Sequence, residues 1–153
     1  MHIFVDADAC PVKAEVFRVA RRYGLQVTLV SSLRMRDPAE DWIELIIVGD
    51  GRLDEADDWI VENIGIDDIV ISADIPLADR CIKAGALVIG PTGRIFTVEN
   101  IGDTLATRNL LSQLRKTGTV TGGPAPFKKE DRSRFLHSLD EMIQSIRRRR
   151  GAD

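Results

Sequence analysis

Apolar positions along the chain follow two different periods. Short unbroken runs, rich in β-branched residues and bounded by turn residues, occur at Ile3 to Val5, Leu25 to Val30, Leu45 to Val48, Ile69 to Ile71 and Ala86 to Ile89. Runs of this kind predict strands buried on both faces. Between them the spacing becomes helical. Val12, Val16, Val19 and Ala20 predict a helix opened by Pro11 and closed by Gly24. Asp54 to Val61 predicts a second helix with carboxylates in its first turn, and Pro76 a third, capped by Asp74. Arg94 to Val98 reads as a short edge strand. Leu105, Leu110, Leu111 and Leu114 predict a helix over Ile101 to Lys116, and Phe135, Leu139, Met142, Ile143 and Ile146 predict an amphipathic helix over Lys129 to Arg148 that docks on the sheet. Polar loops are expected at Ser31 to Asp41 and Thr119 to Phe127. Strands alternating with helices define an α/β chain with a parallel, doubly wound sheet.

Composition narrows the picture. With 153 residues, 44% hydrophobic and 29% charged, the sequence fits one soluble domain over 1–153. No apolar run reaches the ~20 residues of a membrane span, so no membrane partner is expected. Asp6 and Asp8 interrupt the only candidate signal core, which predicts a cytoplasmic location. Cys10 and Cys81 lack CxxC spacing and fit reduced, buried thiols. His2 opens a strand and His137 lies within a helix, so a histidine-centred base or a zinc triad is not expected.

The formal net charge is -3. Acidic residues crowd Asp50 to Asp79, whereas Arg108 to Lys129 and Arg147 to Arg150 are basic. The terminal arginine run is explained well enough by a helix C-terminus. The carboxylates are more specific. Asp6 and Asp8 follow the first strand, Asp57 and Asp58 open a helix, and Asp74 with Asp79 follow the fourth strand. In a parallel sheet these ends converge. Carboxylates gathered there can hold Mg²⁺ or Mn²⁺, which favour oxygen ligands. Asp6, Asp57 and Asp74 are the candidate catalytic core and, with Asp8, the candidate metal ligands. Asp54, Asp58, Ser72 and Asp79 are supporting or alternative ligands. Against this stands a simpler account of Asp54, Asp57 and Asp58, since acids in a first helical turn stabilise the helix dipole without any metal.

Val5-Asp6-Ala7-Asp8-Ala9-Cys10-Pro11-Val12, Asp54-Glu55-Ala56-Asp57-Asp58, Val70 to Ala78, Asn100-Ile101 and Gly122-Gly123-Pro124 together resemble the YaiI/YqxD family of uncharacterised bacterial proteins, related to PIN-like nuclease domains. The resemblance covers essentially the whole chain. It implies a three-layer α/β/α sandwich around a mostly parallel sheet, two C-terminal helices packed on it, and Mg²⁺ or Mn²⁺ as cofactor. The wider PIN-like pattern places its first aspartate on Asp6, its helix-opening aspartate on Asp57, and its strand-end hydroxyl and aspartate on Ser72 and Asp74. Asp8 is an addition. The usual glutamate has no clear counterpart, Glu15 and Asp54 being the candidates. The expected activity is cleavage of a phosphodiester, with RNA as substrate.

Two other readings use the same residues. Asp6-x-Asp8 also resembles the nucleophile and acid of haloacid-dehalogenase-like phosphatases, although Asp57 and Asp58 precede Ser72 instead of following it. Cys10 as a phosphatase nucleophile is weaker, because Arg18 lies too far along for a tight phosphate loop. A non-catalytic nucleic-acid-binding module is the third, gripping the backbone through Arg108, Arg115, Lys128 and Arg132. Aromatic residues, at 5%, are too scarce for extensive base stacking.

Overall fold

Each strand sends alternate side chains to opposite faces of the sheet, and the two faces fill separately. The structure is a computed structural model that describes residues 1–49, 55–118 and 126–151. β1 (His2–Asp6) directs Ile3 and Val5 to one side and Phe4 to the other. β2 (Gln26–Ser31), β4 (Ile69–Ile71) and β5 (Leu87–Ile89) repeat the division. Val27, Leu29, Ile69, Ile71 and Ile89 join Ile3, while Val30, Val70 and Val88 join Phe4. Burial on both faces is why these strands read as continuous apolar runs.

With β3 (Ile43–Ile47) and β6 (Ile95–Phe96) as edges, the strand order is β3-β2-β1-β4-β5-β6. All neighbours are parallel except β6, which pairs antiparallel with β5. α1 (Lys13–Tyr23) covers the first face through Val16, Val19 and Ala20, beside α5 (Lys129–Gly151), which contributes Phe135, Leu139, Met142, Ile143 and Ile146. Each fully buried aliphatic or aromatic side chain stabilises by roughly 1.5–3 kcal/mol, so α5 is held to the sheet despite its charged sequence. α2 (Glu55–Asn63) and α3 (Ile75–Lys83) cover the second face with Ala56, Ile60, Leu77, Ala78 and Cys81. α4 (Val98–Lys116) adds Ile101 and runs along α3. The result is the three-layer α/β/α sandwich anticipated from the sequence. No helix among the described residues is long and apolar enough to cross a membrane.

Local differences have local causes. β3 begins at Ile43 rather than Leu45 because its pairing with β2 starts at Val27, and as an edge strand it buries only Ile43. α4 starts three residues before Ile101 because Thr97 and Asn100 form a capping box, the Thr97 hydroxyl accepting from the Asn100 amide at 3.2 Å and Asn100 Oδ1 accepting from the Thr97 amide at 2.9 Å. A single 3₁₀ turn, Ala7–Ala9, separates β1 from α1 and had no separate sequence signal. Asp54 and Gly122-Gly123-Pro124 lie outside the described residues.

The turn between β5 and β6 presses on α5 at Gly93, which has φ +92° and whose absent Cβ would meet the Arg134 carbonyl carbon and oxygen at 2.8 Å. Gly93→Ala should therefore destabilise by about 1–3 kcal/mol, a fall of roughly 3–9 °C in Tm for a chain of this size. An unchanged thermal unfolding curve would show that the turn and α5 are not in close contact.

Candidate functional site

β1 sits centrally, with β2 on one side and β4 on the other. The chain leaves β1 through α1 on one face and leaves β4 through α3 on the opposite face. A crevice therefore opens between the carboxyl ends of β1 and β4, the topological switch point at which open α/β sheets bind ligands. Asp6 is the last residue of β1, and Ser72 to Asp74 follow β4 directly. They line a cavity of about 210 Å³ together with Cys10 and Pro91.

Ser72 ties the Asp6 carboxylate to the backbone of Asp74. Its hydroxyl donates to Asp6 Oδ2 at 2.9 Å and accepts from the Asp74 amide at 3.0 Å. Asp74 Oδ1 accepts from the Leu77 amide at 3.1 Å, capping α3 in the role expected from Pro76. Burial pushes the Asp6 carboxyl above the usual carboxylate range; the Ser72 hydrogen bond opposes this, and the charges of Asp74 and Asp8 add to it.

Asp8 has a different task. Its oxygens accept from the Ser31 hydroxyl at 2.6 Å, the Ser32 amide at 3.0 Å and the Ser32 hydroxyl at 2.5 Å. Burial pushes its carboxyl up, but the hydrogen bonds from Ser31, Ser32 and the nearby backbone outweigh that and hold it below the usual range. Asp8 thus pins the 3₁₀ turn to the end of β2, and it does not line the cavity.

Asp57 stands in the first turn of α2. Its charge reaches Cys81, a fully buried thiol pushed up to about 12, first by burial and then by Asp57, Asp6 and Asp74, with Arg80 opposing. The three aspartates aligned by the sequence pattern thus act on one buried atom. Even so, among the described residues no three Asp, Glu, His or Cys side chains are drawn together as ligands of one ion. What the structure does form is a pair, Asp6 and Asp74. Mg²⁺ keeps most of its waters and is commonly held by one or two carboxylates, so this donor set fits a hydrated ion, and it does not form a closed carboxylate cage.

The other candidates are placed as follows. Asp58 pairs with Arg80 at 2.9 Å and Asp79 with Lys83 at 2.9 Å, both away from the cavity lining. Glu15 accepts from Arg132 at 2.9 Å through Oε1, and its buried Oε2 has no partner among the described residues. Arg132 also donates to the Pro11 carbonyl at 2.8 Å and stacks on Phe127, so it fastens α5 to the start of α1. The Lys128 backbone amide donates to Asp131 Oδ2 at 2.8 Å. Arg108 and Arg115 line a separate cleft on α4. Cys10, weighed from the sequence only as a weak nucleophile, lines the cavity, as does Pro91, which carries no sequence signal for a site. Pro91 follows β5 at the same sheet edge as Asp6 and Asp74, a placement the strand pattern itself implies.

Fold and site together define an α/β protein with paired carboxylates at a doubly wound sheet's switch point. The chain belongs to the family described as "Uncharacterized BCR, YaiI/YqxD family", which it matches over residues 4–145. It is similar to UPF0178 proteins of Rhodopseudomonas palustris (strain TIE-1), 57% identical over 98% of this chain and 94% of the relative, and of Nitrobacter winogradskyi, 55% identical over 97% and 94%. A UPF0178 protein of Bradyrhizobium sp. (strain ORS 278) is 54% identical over 98% of this chain and 91% of its own. No solved structure matches the chain.

The raised Asp6 carboxyl makes a prediction of definite sign. Its ionised form is disfavoured in the folded state, so ionised Asp6 subtracts stability above its folded pKa and subtracts nothing below about pH 4, where the carboxyl is protonated folded and unfolded alike. In EDTA, Asp6→Asn should unfold at a higher urea concentration than wild type at pH 7.5, with the gap closing as pH falls toward 4. A variant less stable than wild type at neutral pH would contradict the burial argument.

Proposed function

We propose that this protein is a Mg²⁺- or Mn²⁺-dependent phosphodiesterase of PIN-like character, acting on RNA in the cytoplasm, with Asp6 and Asp74 as its ligand pair. The observation that carries the reading is that Asp6 and Asp74 line one cavity at the switch point, where the Ser72 hydroxyl links the Asp6 carboxylate to the Asp74 backbone amide. Asp74 Oδ1 is committed to the α3 cap, which leaves Oδ2 to serve an ion in the cavity that Asp74 lines. Ser72 holds Asp6 by one oxygen and leaves the other for the same purpose. Asp57 supplies negative charge from the start of α2, and Asp8 supports the turn that carries the crevice wall. A bound divalent ion supplies Lewis acidity at a phosphoryl oxygen and a water of lowered pKa.

This reading is favoured over an aspartyl-phosphate phosphatase because that chemistry needs Asp8 to carry a proton as general acid. The donors around Asp8 favour its ionised form instead.

Cleavage of a mixed-sequence single-stranded RNA with Mn²⁺ tests the proposal. Removing a group that merely orients a ligand costs about 10- to 100-fold, so Ser72→Ala should lose activity in that range and Asp6→Asn or Asp74→Asn about 100-fold or more. Asn caps a helix as well as Asp, so Asp74→Asn removes the charge and keeps α3. Mn²⁺ should also raise the wild-type Tm, and Asp74→Asn should remove most of the rise. Cleavage undiminished in Asp6→Asn would place the chemistry elsewhere, and RNA binding without turnover under several metals would make the protein a non-catalytic module.

A further inference from the structure

α4 differs from the other helices: of its 19 residues only Ile101 is buried. Its outer face forms one wall of a cleft of about 510 Å³ whose other end reaches Ile75, the residue after Asp74. Thr104, Arg108, Leu111 and Arg115 share that face at helical spacing, and Arg94 enters from the β5–β6 hairpin. Arg94 donates to the Thr104 hydroxyl at 2.7 Å with its guanidinium 5.2 Å from the centre of the Phe96 ring, so its side chain is held in place. Arg108 and Arg115 lie about 10 Å apart along the helix at ~1.5 Å per residue.

Several arginines elsewhere are engaged within the fold. Arg132 is tied to Glu15, Arg134 to Asp131, Arg149 and Arg150 to Asp67, and Arg147 donates to the Tyr23 carbonyl. Among the described residues Arg94, Arg108 and Arg115 form no ion pair, and Arg108 donates only to Asn109 at 3.3 Å. Three arginines against the single acid Asp103 reverse, locally, the sign of a chain whose net charge is -3.

We infer that this cleft is the track along which the phosphate backbone of a single-stranded polynucleotide runs toward the carboxylate pair, with Arg94, Arg108 and Arg115 as its phosphate contacts. The inference deepens the proposed phosphodiesterase reading and rests on it. Charge complementarity identifies the occupant: one row of unpaired guanidinium groups suits one row of phosphates. The cleft's apolar contacts, Ile75 and Leu111, carry no aromatic ring for base stacking, so contact is through the backbone and independent of sequence. Arg132 and Lys128, whose position in the sequence suggests the same role, do not line this cleft, and Arg132 is held by Glu15 and the Pro11 carbonyl.

The test is fluorescence anisotropy of the full chain with a labelled oligouridylate of about 12 nucleotides, in EDTA, across a salt series. Each phosphate contact on a single strand contributes about 0.7 to the slope of log K against log salt. Arg108→Gln with Arg115→Gln should lower the slope by about 1.4 and Arg94→Gln by a further 0.7 or so, whereas Arg18→Gln on α1 should leave it unchanged. Circular dichroism checks that the exposed substitutions leave the fold intact. An unchanged slope in the double variant, or no salt-dependent binding by wild type, overturns the inference. The two ideas fail separately. Cleavage lost in Asp6→Asn with an unchanged slope in the arginine variants leaves the carboxylate site standing and removes the track. A reduced slope with no cleavage by any form leaves the track standing and removes the enzyme.

Discussion

Val5 is paired on both sides, with Leu29 of β2 and Ile71 of β4, and the backbone that follows it has only one direction to take. That double pairing delivers the Asp6 carboxylate to the crevice at a fixed height, opposite the Ser72 hydroxyl that extends from β4. The same register sets the layers, because Ile3 and Val5 face α1 and α5 while Phe4 faces α2, α3 and α4. A one-residue slip of β1 would exchange the two faces and turn the carboxylate away from its partner. Core and site therefore rest on one strand register.

The two aspartates of the opening motif illustrate how neighbouring carboxylates come to differ. Asp6 is half-buried with one donor and two nearby negative charges, so its ionised form is penalised. Asp8, two residues on and more exposed, has several donors from Ser31, Ser32 and the backbone, so its ionised form is favoured. Their separation follows from the 3₁₀ turn, which rotates Asp8 toward the end of β2 while Asp6 remains at the β1–β4 gap. One carboxylate fastens a loop, and the other retains an unmet demand for positive charge.

Much of this was legible in the residues. Strands buried on both faces announce themselves as apolar runs, and Gly24, Pro76 and the Val16-Val19-Ala20 stripe mark helices whose positions the structure reproduces. Asp6, Ser72 and Asp74 could be found because all three lie at ends of predicted strands. The division of labour between Asp6 and Asp8 could not, since it depends on Ser31 and Ser32, which read as an ordinary polar loop start. Likewise Asp58 and Asp79 share the acidic pattern, yet Arg80 and Lys83, at helical distance or across a helix pair, take them up in ion pairs. Arg132 and Arg94 show the same lesson among the bases. Arg132 lies in a basic stretch but is consumed by Glu15 and Pro11, whereas Arg94, isolated in sequence, is brought beside Arg108 by the hairpin.

α3 connects stability to function at the crevice. Its first turn is closed by Asp74, and the unsatisfied amides at a helix N-terminus carry the equivalent of about half a positive charge. Asp74 thus lies where its negative charge is offset by the helix, which moderates the repulsion it exerts on Asp6. Ser72 adds a second offset by donating to Asp6 while accepting from the Asp74 amide, so its one hydroxyl orients the Asp6 acid and fixes the backbone that carries Asp74. Neither offset removes the burial penalty on Asp6. The residual imbalance is local and stays fixed because both strands are paired along their length, and a cation held between the two carboxylates would relieve it.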